Sequence, residues 1–377
     1  MYHEWLCSAI KVQAMCEMHL THEEPYKVAI IDADLIGRKK HRFPNLVCMK
    51  LSGYWKEKDA HVELKTNYEG LEFFDKVYIS KVFTDTPINK SILEFENVEY
   101  GGAPKLPDEI EHHMPDYHLY DEWVKEKIDN GGNRTDFKYY LDYSIGFTTR
   151  GCFRQCEFCV NKNYKKVNCH SPLEEFVDPT RKKICLLDDN ILGSPNWKEI
   201  FRELQATGKP FQYKQGMDER LLTDEKCEVL FNNKYDGDYI FAFDNVADYD
   251  LIKRKLELLR KYTAKYPKFY VFCGFDRNDK WNDEFWKQDI FDMFKRIELL
   301  MQYHCLPYIM RFNRYVESPY QGVYKTVAAW CNQPNFFKKK SLREFGIASG
   351  EMSARNRYIV EFEQKFPEFK KYMDMKW

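Results

Sequence analysis

No apolar run in this 377-residue chain approaches the roughly 20 residues that a membrane-spanning helix needs. The first twenty residues, MYHEWLCSAIKVQAMCEMHL, are interrupted by Glu4, Lys11 and Glu17 and so lack the apolar core of a signal peptide. A cytoplasmic location, without a membrane partner, is therefore the expectation. A bias of charge is also missing. With 58 basic and 59 acidic side chains the net charge is −1, which gives no general attraction to nucleic acid or to a membrane surface. Most of the twelve cysteines form no pattern: Cys7, Cys16, Cys48, Cys169, Cys185, Cys227, Cys273, Cys305 and Cys331 are scattered. In a reducing compartment such residues read as small core side chains rather than as a disulfide framework.

What is present is an apolar content of 44% and an aromatic content of 16%, enough for two or three domains with full cores. Near the front, KVAIIDAD reads as a strand and FPNLVCMKLSGYWKEKD as a helix with Leu46, Met49, Leu51 and Trp55 among its apolar positions. HVELK and DKVYISKVF read as further strands, and VEYGGAPKLP ends in a turn. Alternation of this kind predicts a small α/β domain with a parallel sheet, ending at the helix-breaking DNGGNR.

The second half repeats one unit. YSIGFTT is a strand, and SPLEEF carries Ser171, Pro172 and Glu174 as the cap of a helix. KICLLDD is followed by a helix from Ser194-Pro195 with Trp197, Ile200, Phe201 and Leu204 on one face, stopping at Gly208. FQYKQ precedes a helix capped at Thr223; DYIFAF precedes one with Ile252, Leu256 and Leu259 inward. KFYVFCGF, a long helix through Phe291, Phe294, Ile297 and Met301, and LPYIMRF complete six strands, each but the last followed by a helix. Right-handed crossovers would wind these into a parallel barrel or part of one, with strand C-termini on the functional face. Those termini carry the cysteine loop, Asp188-Asp189-Asn190, Gln215 with Asp218 and Arg220, Asp244-Asn245, Asp276-Arg277, and Arg311 with Asn313. Strand-ending turns are themselves rich in Asp and Asn, so position alone does not assign them.

The remaining cysteines, Cys152, Cys156 and Cys159, lie in TTRGCFRQCEFCVNK, a spacing that chance would produce about 0.01 times in a chain of this cysteine content. Gly151 relaxes the backbone before the first of them. Arg154, Gln155 and Glu157 between them indicate an exposed loop rather than core thiols. A zinc site completed by Cys169 or His170 is one alternative, although zinc cysteines usually come as two close doublets. The other is an iron–sulfur cluster with one iron left open by having three protein ligands.

A strand, then C-x3-C-x2-C with Phe158 before the last cysteine, then five more strands with their helices, resembles the radical S-adenosylmethionine superfamily over residues 140–315. The resemblance implies an α/β fold, a partial (β/α)6 barrel over residues 138–316, and a [4Fe-4S] cluster on Cys152, Cys156 and Cys159. S-adenosylmethionine would chelate the open iron, and the backbone near Phe158 would support its adenine. Reductive cleavage would then give a 5′-deoxyadenosyl radical for hydrogen abstraction from a substrate, with the electron arriving from a flavodoxin- or ferredoxin-like reductant. Where the family has a glycine-rich acidic turn for the methionyl amine, this chain has Asp188-Asp189-Asn190, so Asp188 or Asp189 would take the ammonium. Gln215, Asp218 and Asp244 are candidates for the ribose and methionyl groups by position. A cobalamin-dependent methyl transfer and a non-catalytic metal-binding scaffold are the alternatives. The absence of a second cysteine set lowers a sulfur-insertion reading.

Residues 25–130 resemble the Rossmann-like cobalamin-binding domain that precedes the barrel in one branch of the superfamily. Asp32-x-Asp34-x-x-Gly37 stands where that domain often has Asp-x-His-x-x-Gly, with Ser80-Lys81-Val82 and Gly101-Gly102 following in order. Asp34 replaces the histidine that ligates cobalt, and carboxylate is a poor substitute there. A vestigial or repurposed domain is favoured over one loaded with cobalamin. Residues 1–24 form an N-terminal extension, and residues 317–377 a helical C-terminal region whose charges face solvent while its aromatics pack on the body. Trp281, Trp286 and Tyr320, placed near the predicted mouth, would suit a planar substrate.

Overall fold

The computed structural model describes residues 25–101, 106–161 and 163–377. The N-terminal extension, with Cys7 and Cys16, and Gly102 lie outside the described residues. Contacts divide the chain into two compact units, one ending at Asp142 and the other spanning Tyr143–Trp377.

In the first unit, β1 (Lys27–Asp32) runs directly into a short helix, α1 (Ala33–Gly37), whose N-cap is Asp32. The amphipathic α2 (Leu46–Glu57) is capped by Asn45, whose side chain accepts from the Val47 and Cys48 amides. Strands β2 (His61–Lys65), β3 (Lys76–Ser80) and β4 (Val98–Tyr100) join β1 in the order β2-β1-β3-β4, every pairing parallel. The central strand is buried on both faces, as the run VAII demands. Val28 and Ile30 pack with Cys48, Met49 and Leu51 of α2 on one side, while Ala29 and Ile31 pack with Leu71, Val77 and Ile79 on the other. Each such aliphatic burial contributes about 1.5–3 kcal/mol. Asp32, the last residue of β1, and Asp34 in the first turn of α1 are fully buried as well.

The second unit opens with β5 (Tyr143–Gly146) and an antiparallel ribbon of β6 (Thr149–Arg150) with β7 (Asn168–Cys169), which closes the neck of the cysteine loop. Then come β8 (Lys183–Leu186), α3 (Trp197–Ala206), β9 (Phe211–Tyr213), α4 (Asp224–Asn232), β10 (Ile240–Ala242) and α5 (Tyr249–Tyr262). The series ends with β11 (Lys268–Cys273), α6 (Asp283–Gln302) and β12 (Leu306–Arg311). The six long-range strands keep sequence order as two parallel sheets, β5-β8-β9 and β10-β11-β12, joined by a single parallel bridge between Met217 and Phe241.

Two local expectations need correction. Between β7 and β8 the described residues contain no α-helix; SPLEEF makes one 3-10 turn, Leu173–Glu175, with Pro172 at its cap position and no side-chain cap from Ser171. The chain leaves that turn because Phe176 is drawn into the core, its ring lying where a Cβ on Gly146 would have to be. The second difference is that α3 begins at Trp197 with Asn196 as its cap, not at Ser194. Elsewhere the periodicity holds: Ile252, Leu256 and Leu259 line the buried face of α5, and Thr223 caps α4. In the C-terminal helices, Phe362, Phe369 and Tyr372 are buried in the same core as Phe294 of α6.

Candidate functional site

The loop between β6 and β7 carries Cys152, Cys156 and Cys159, all free thiols of intermediate exposure. Its start is fixed by three consecutive residues after β8. Asp188 accepts from the Thr148 and Thr149 amides (3.2 and 2.6 Å) and from both hydroxyls (2.6 and 2.7 Å). Asp189 accepts from the Gly151 amide at 2.7 Å, and Asn190 Nδ2 donates to Cys152 Sγ at 3.4 Å. Gly151 has φ +99°, and a Cβ there would stand 2.5 Å from the Lys166 carbonyl oxygen, so glycine is needed for both conformation and space.

Two sulfurs also receive backbone N–H groups, Cys152 from Arg154 at 3.5 Å and Cys159 from Asn161 at 3.4 Å. The Cys159 amide closes a turn onto the Cys156 carbonyl at 2.9 Å. Burial raises the Cys156 thiol, with Asp244, Cys152 and Cys159 adding to the effect, so the three sulfurs form one electrostatic neighbourhood. Among the described residues, the set of three or more His, Cys, Asp and Glu ligand atoms gathered within 4.8 Å is in the first unit and includes none of these cysteines. Backbone N–H donors aimed at two of the sulfurs favour their thiolate forms, which a zinc ion and an iron–sulfur cluster both require. Of the proposed fourth zinc ligands, Cys169 Sγ accepts from Asn196 Nδ2 at 3.1 Å, and His170 Nδ1 lies 3.0 Å from the Ser171 hydroxyl.

Beside the loop is a cavity of about 320 Å³, lined by Arg154, Cys156, Phe158, Arg220, Asp244 and Asp248 among others. The Phe158 ring packs on Phe272, centroids 4.1 Å apart. Asp218 is buried between two guanidinium groups, Arg154 Nε at 2.5 Å and Arg220 Nε at 2.6 Å, while Arg220 also reaches Asp248 at 2.8 Å. This chain of charges ties the cysteine loop to the ends of β9 and β10. Arg296 of α6, itself buried, donates to the carbonyls of Phe243, Asp244 and Phe272 at 2.8–3.1 Å and fixes the ends of β10 and β11. The buried Glu219 is pushed well up by burial first and by Asp218 second, and its Oε1 has no hydrogen-bond partner.

The sequence candidates thus divide. Cys156, Phe158 and Asp244 line the cavity together, and Asp218 sits behind it in ion pairs. Asp188 and Asp189 are anchors of the cysteine loop. Gln215 is exposed and is not part of the cavity wall. Trp286 and Tyr320 belong to the core rather than to a mouth: Trp286 is fully buried on α6, and Tyr320 packs edge-to-face against Phe362 and Phe366. Sequence reasoning missed Arg154, Asp248 and Arg296. Asp248 follows a strand end, which is a common place for an acid; Arg154 read only as a mark of an exposed loop, and Arg296 lies in the middle of α6, where no sequence pattern singles it out.

Burial raises the Asp244 carboxyl to about 6, against 3.8 for the free side chain, with Arg296 and the Phe272 amide opposing the rise. Between pH 4 and 6 the native state therefore holds a proton that the unfolded state has lost, and stability falls as pH rises through that window. Asp244→Asn should remove about 2–3 kcal/mol of this pH dependence. Urea unfolding of both chains across that range checks it; identical slopes would refute the assignment.

No protein-family model matches the chain, and no curated protein matches it. Solved structures similar to it include that of a "Cobalamin-dependent S-adenosylmethionine radical enzyme OxsB with aqua-cobalamin bound", at TM-score 0.38 and 14% identity, covering 94% of this chain and 57% of that one. The same enzyme with S-adenosylmethionine also bound matches at TM-score 0.36 and 14% identity, covering 93% of this chain and 56% of that chain. The chain thus spans a little over half the length of those structures.

Proposed function

We propose that the chain is a radical S-adenosylmethionine enzyme, an oxidoreductase or transferase in which Cys152, Cys156 and Cys159 hold a [4Fe-4S] cluster. The observation that carries this reading is a loop of three thiols, two of them receiving backbone N–H donors, beside a cavity lined by both signs of charge. When bound, the cluster would supply one electron to split the sulfonium of S-adenosylmethionine and release the 5′-deoxyadenosyl radical. The protein supplies position and exclusion of water. Arg220 offers a cation for a carboxylate, and Asp244 and Asp248 offer acceptors for an ammonium, which together suit an amino-acid-bearing ligand. The Phe158–Phe272 pair provides an apolar wall for a planar base. Asp218 and Arg154 hold the loop against that cavity. A flavodoxin- or ferredoxin-like protein would deliver the electron, and the substrate is not specified by these residues.

Cobalamin does not fit the first unit in the usual way. At the axial-ligand position Asp34 Oδ2 accepts from the Val82 amide at 2.6 Å and Oδ1 from the Thr86 hydroxyl, and an imidazole is absent from that position. No cobalamin step is therefore part of the proposal. The test is anaerobic reconstitution with iron and sulfide. A brown protein that releases 5′-deoxyadenosine from S-adenosylmethionine on reduction supports the reading. A colourless zinc-loaded protein that releases none refutes it.

A further inference from the structure

The end of β1 brings together a second constellation, unrelated to the cysteine loop. Asp32, Asp34 and His41 each offer a ligand atom, all within 4.8 Å of one another. Both carboxylates are fully buried, and the histidine side chain is 7% exposed. His41 Nε2 faces Asp32 Oδ2 at 3.8 Å, too long for a hydrogen bond and a little wider than the ~3.4 Å between two ligands held at ~2.1 Å on a tetrahedral ion.

Each of the three is oriented by a neighbour. The Tyr120 hydroxyl donates to Asp32 Oδ2 at 2.9 Å, and the Asp34 amide caps Asp32 Oδ1 at 3.1 Å. The Val82 amide and the Thr86 hydroxyl hold Asp34. His41 Nδ1 is hydrogen-bonded to the Tyr140 hydroxyl, leaving the Nε2 edge toward the carboxylates. Outer-shell partners on every ligand are the mark of a built metal site.

One further observation says that something is missing from this arrangement. The buried Tyr68 hydroxyl has no hydrogen-bond partner, and its pKa is raised by burial first and then by Asp32 and Asp34, which places it in the same neighbourhood. The nearby guanidinium groups pair outward, Arg38 with Asp85 and Arg42 with Asp136.

We propose that Asp32, Asp34 and His41 bind a divalent first-row transition ion, of the manganese(II), iron(II) or zinc(II) class. Two carboxylates and one imidazole are the mixed oxygen and nitrogen set that these ions accept. His41 also lines a cavity of about 540 Å³ in the same unit, whose wall carries Arg38, Lys39, Lys40, Arg42 and Lys127 with Glu126 and Asp136. The histidine absent from position 34 is thus replaced by one at 41, in a site for an inorganic ion.

Manganese(II) is the probe of choice, because hard Mn²⁺ avoids the thiols of the cysteine loop. The full-length chain, stripped with a chelator, is titrated with Mn²⁺ and free ion is read by electron paramagnetic resonance. One Mn²⁺ per chain is expected, bound at least ~10-fold more weakly by Asp32→Asn and by His41→Gln, and unchanged in Cys156→Ala. Mn²⁺ should also raise the melting temperature of the native chain but not of His41→Gln. His41 sits at the cavity wall, so that variant decides the matter even if Asp32→Asn fails to fold. Absence of Mn²⁺ binding below millimolar, or equal binding by native chain and His41→Gln, would overturn the proposal and leave the radical chemistry of the other unit untouched.

Discussion

On the proposed function, Cys156→Ala should leave the chain folded and abolish assembly of the iron–sulfur cluster. The Cys156 side chain is only half-buried at the cavity wall, so its truncation should change stability by about 1 kcal/mol or less. Its loss as a ligand is a different matter. Two thiolates on a loop cannot fix three corners of a cluster, and the remaining sulfurs keep their amide donors with no third arm to close the site. Removing a mere outer-shell partner of a metal costs 10–100-fold, so loss of the ligand itself should lower cleavage of S-adenosylmethionine by more than ~100-fold. Iron per chain after reconstitution and 5′-deoxyadenosine released on reduction are the two readouts. Cys169→Ala is the matched control: it lies on β7 beside the loop, with its sulfur engaged by Asn196, and should keep both. If Cys169→Ala lost metal as completely as Cys156→Ala, a closed four-ligand site would be the better description.

The contrast between these two cysteines shows what the chain makes legible by itself. Spacing alone sets the trio apart from Cys169, and the structure keeps the three on one loop between β6 and β7 while Cys169 lies on β7 itself. Periodicity likewise marks α5 through Ile252, Leu256 and Leu259, and the Thr223 cap with Asp224 and Glu225 marks α4, since these are local patterns that tertiary packing reinforces. The same rule was available for Trp286, which shares its buried helix face with Ile290 and Met293, yet its aromatic ring suggested a pocket wall. The turn at SPLEEF failed for the opposite reason. Its local signals favoured a helix, but burial of Phe176 against Gly146 overrode them. Least legible are side-chain partners 40 to 64 residues apart, such as Asp188 with Thr148 and Arg154 with Asp218. An acid at a strand end can point into a cavity or back into a neighbouring loop, and only the fold decides between them.

That choice is sharpest at Asp188, where ligand and anchor make different predictions. As an anchor, the carboxylate satisfies two amides and two hydroxyls at the root of the cysteine loop. Burial nonetheless raises its pKa, so these four bonds do not fully offset the cost of taking the charge out of water. Asp188→Ala would leave the Thr148 and Thr149 amides unpaired in the interior, at about 1–3 kcal/mol each, while the hydroxyls can turn toward other acceptors. A loss of about 3–5 kcal/mol is expected, with the cysteine loop disordered and reconstitution failing before any nucleoside is added. Asp188→Asn retains one acceptor oxygen and sheds the buried charge, so its loss should be less than half as large. Chemical denaturation and iron content, measured without S-adenosylmethionine, separate the cases. Had Asp188 instead served the ammonium of a bound ligand, the alanine chain would denature like the native one, take up its iron, and lose only affinity for S-adenosylmethionine. That result would return Asp188 to the cavity and require another explanation for what holds Thr148 and Thr149 beneath the cysteines.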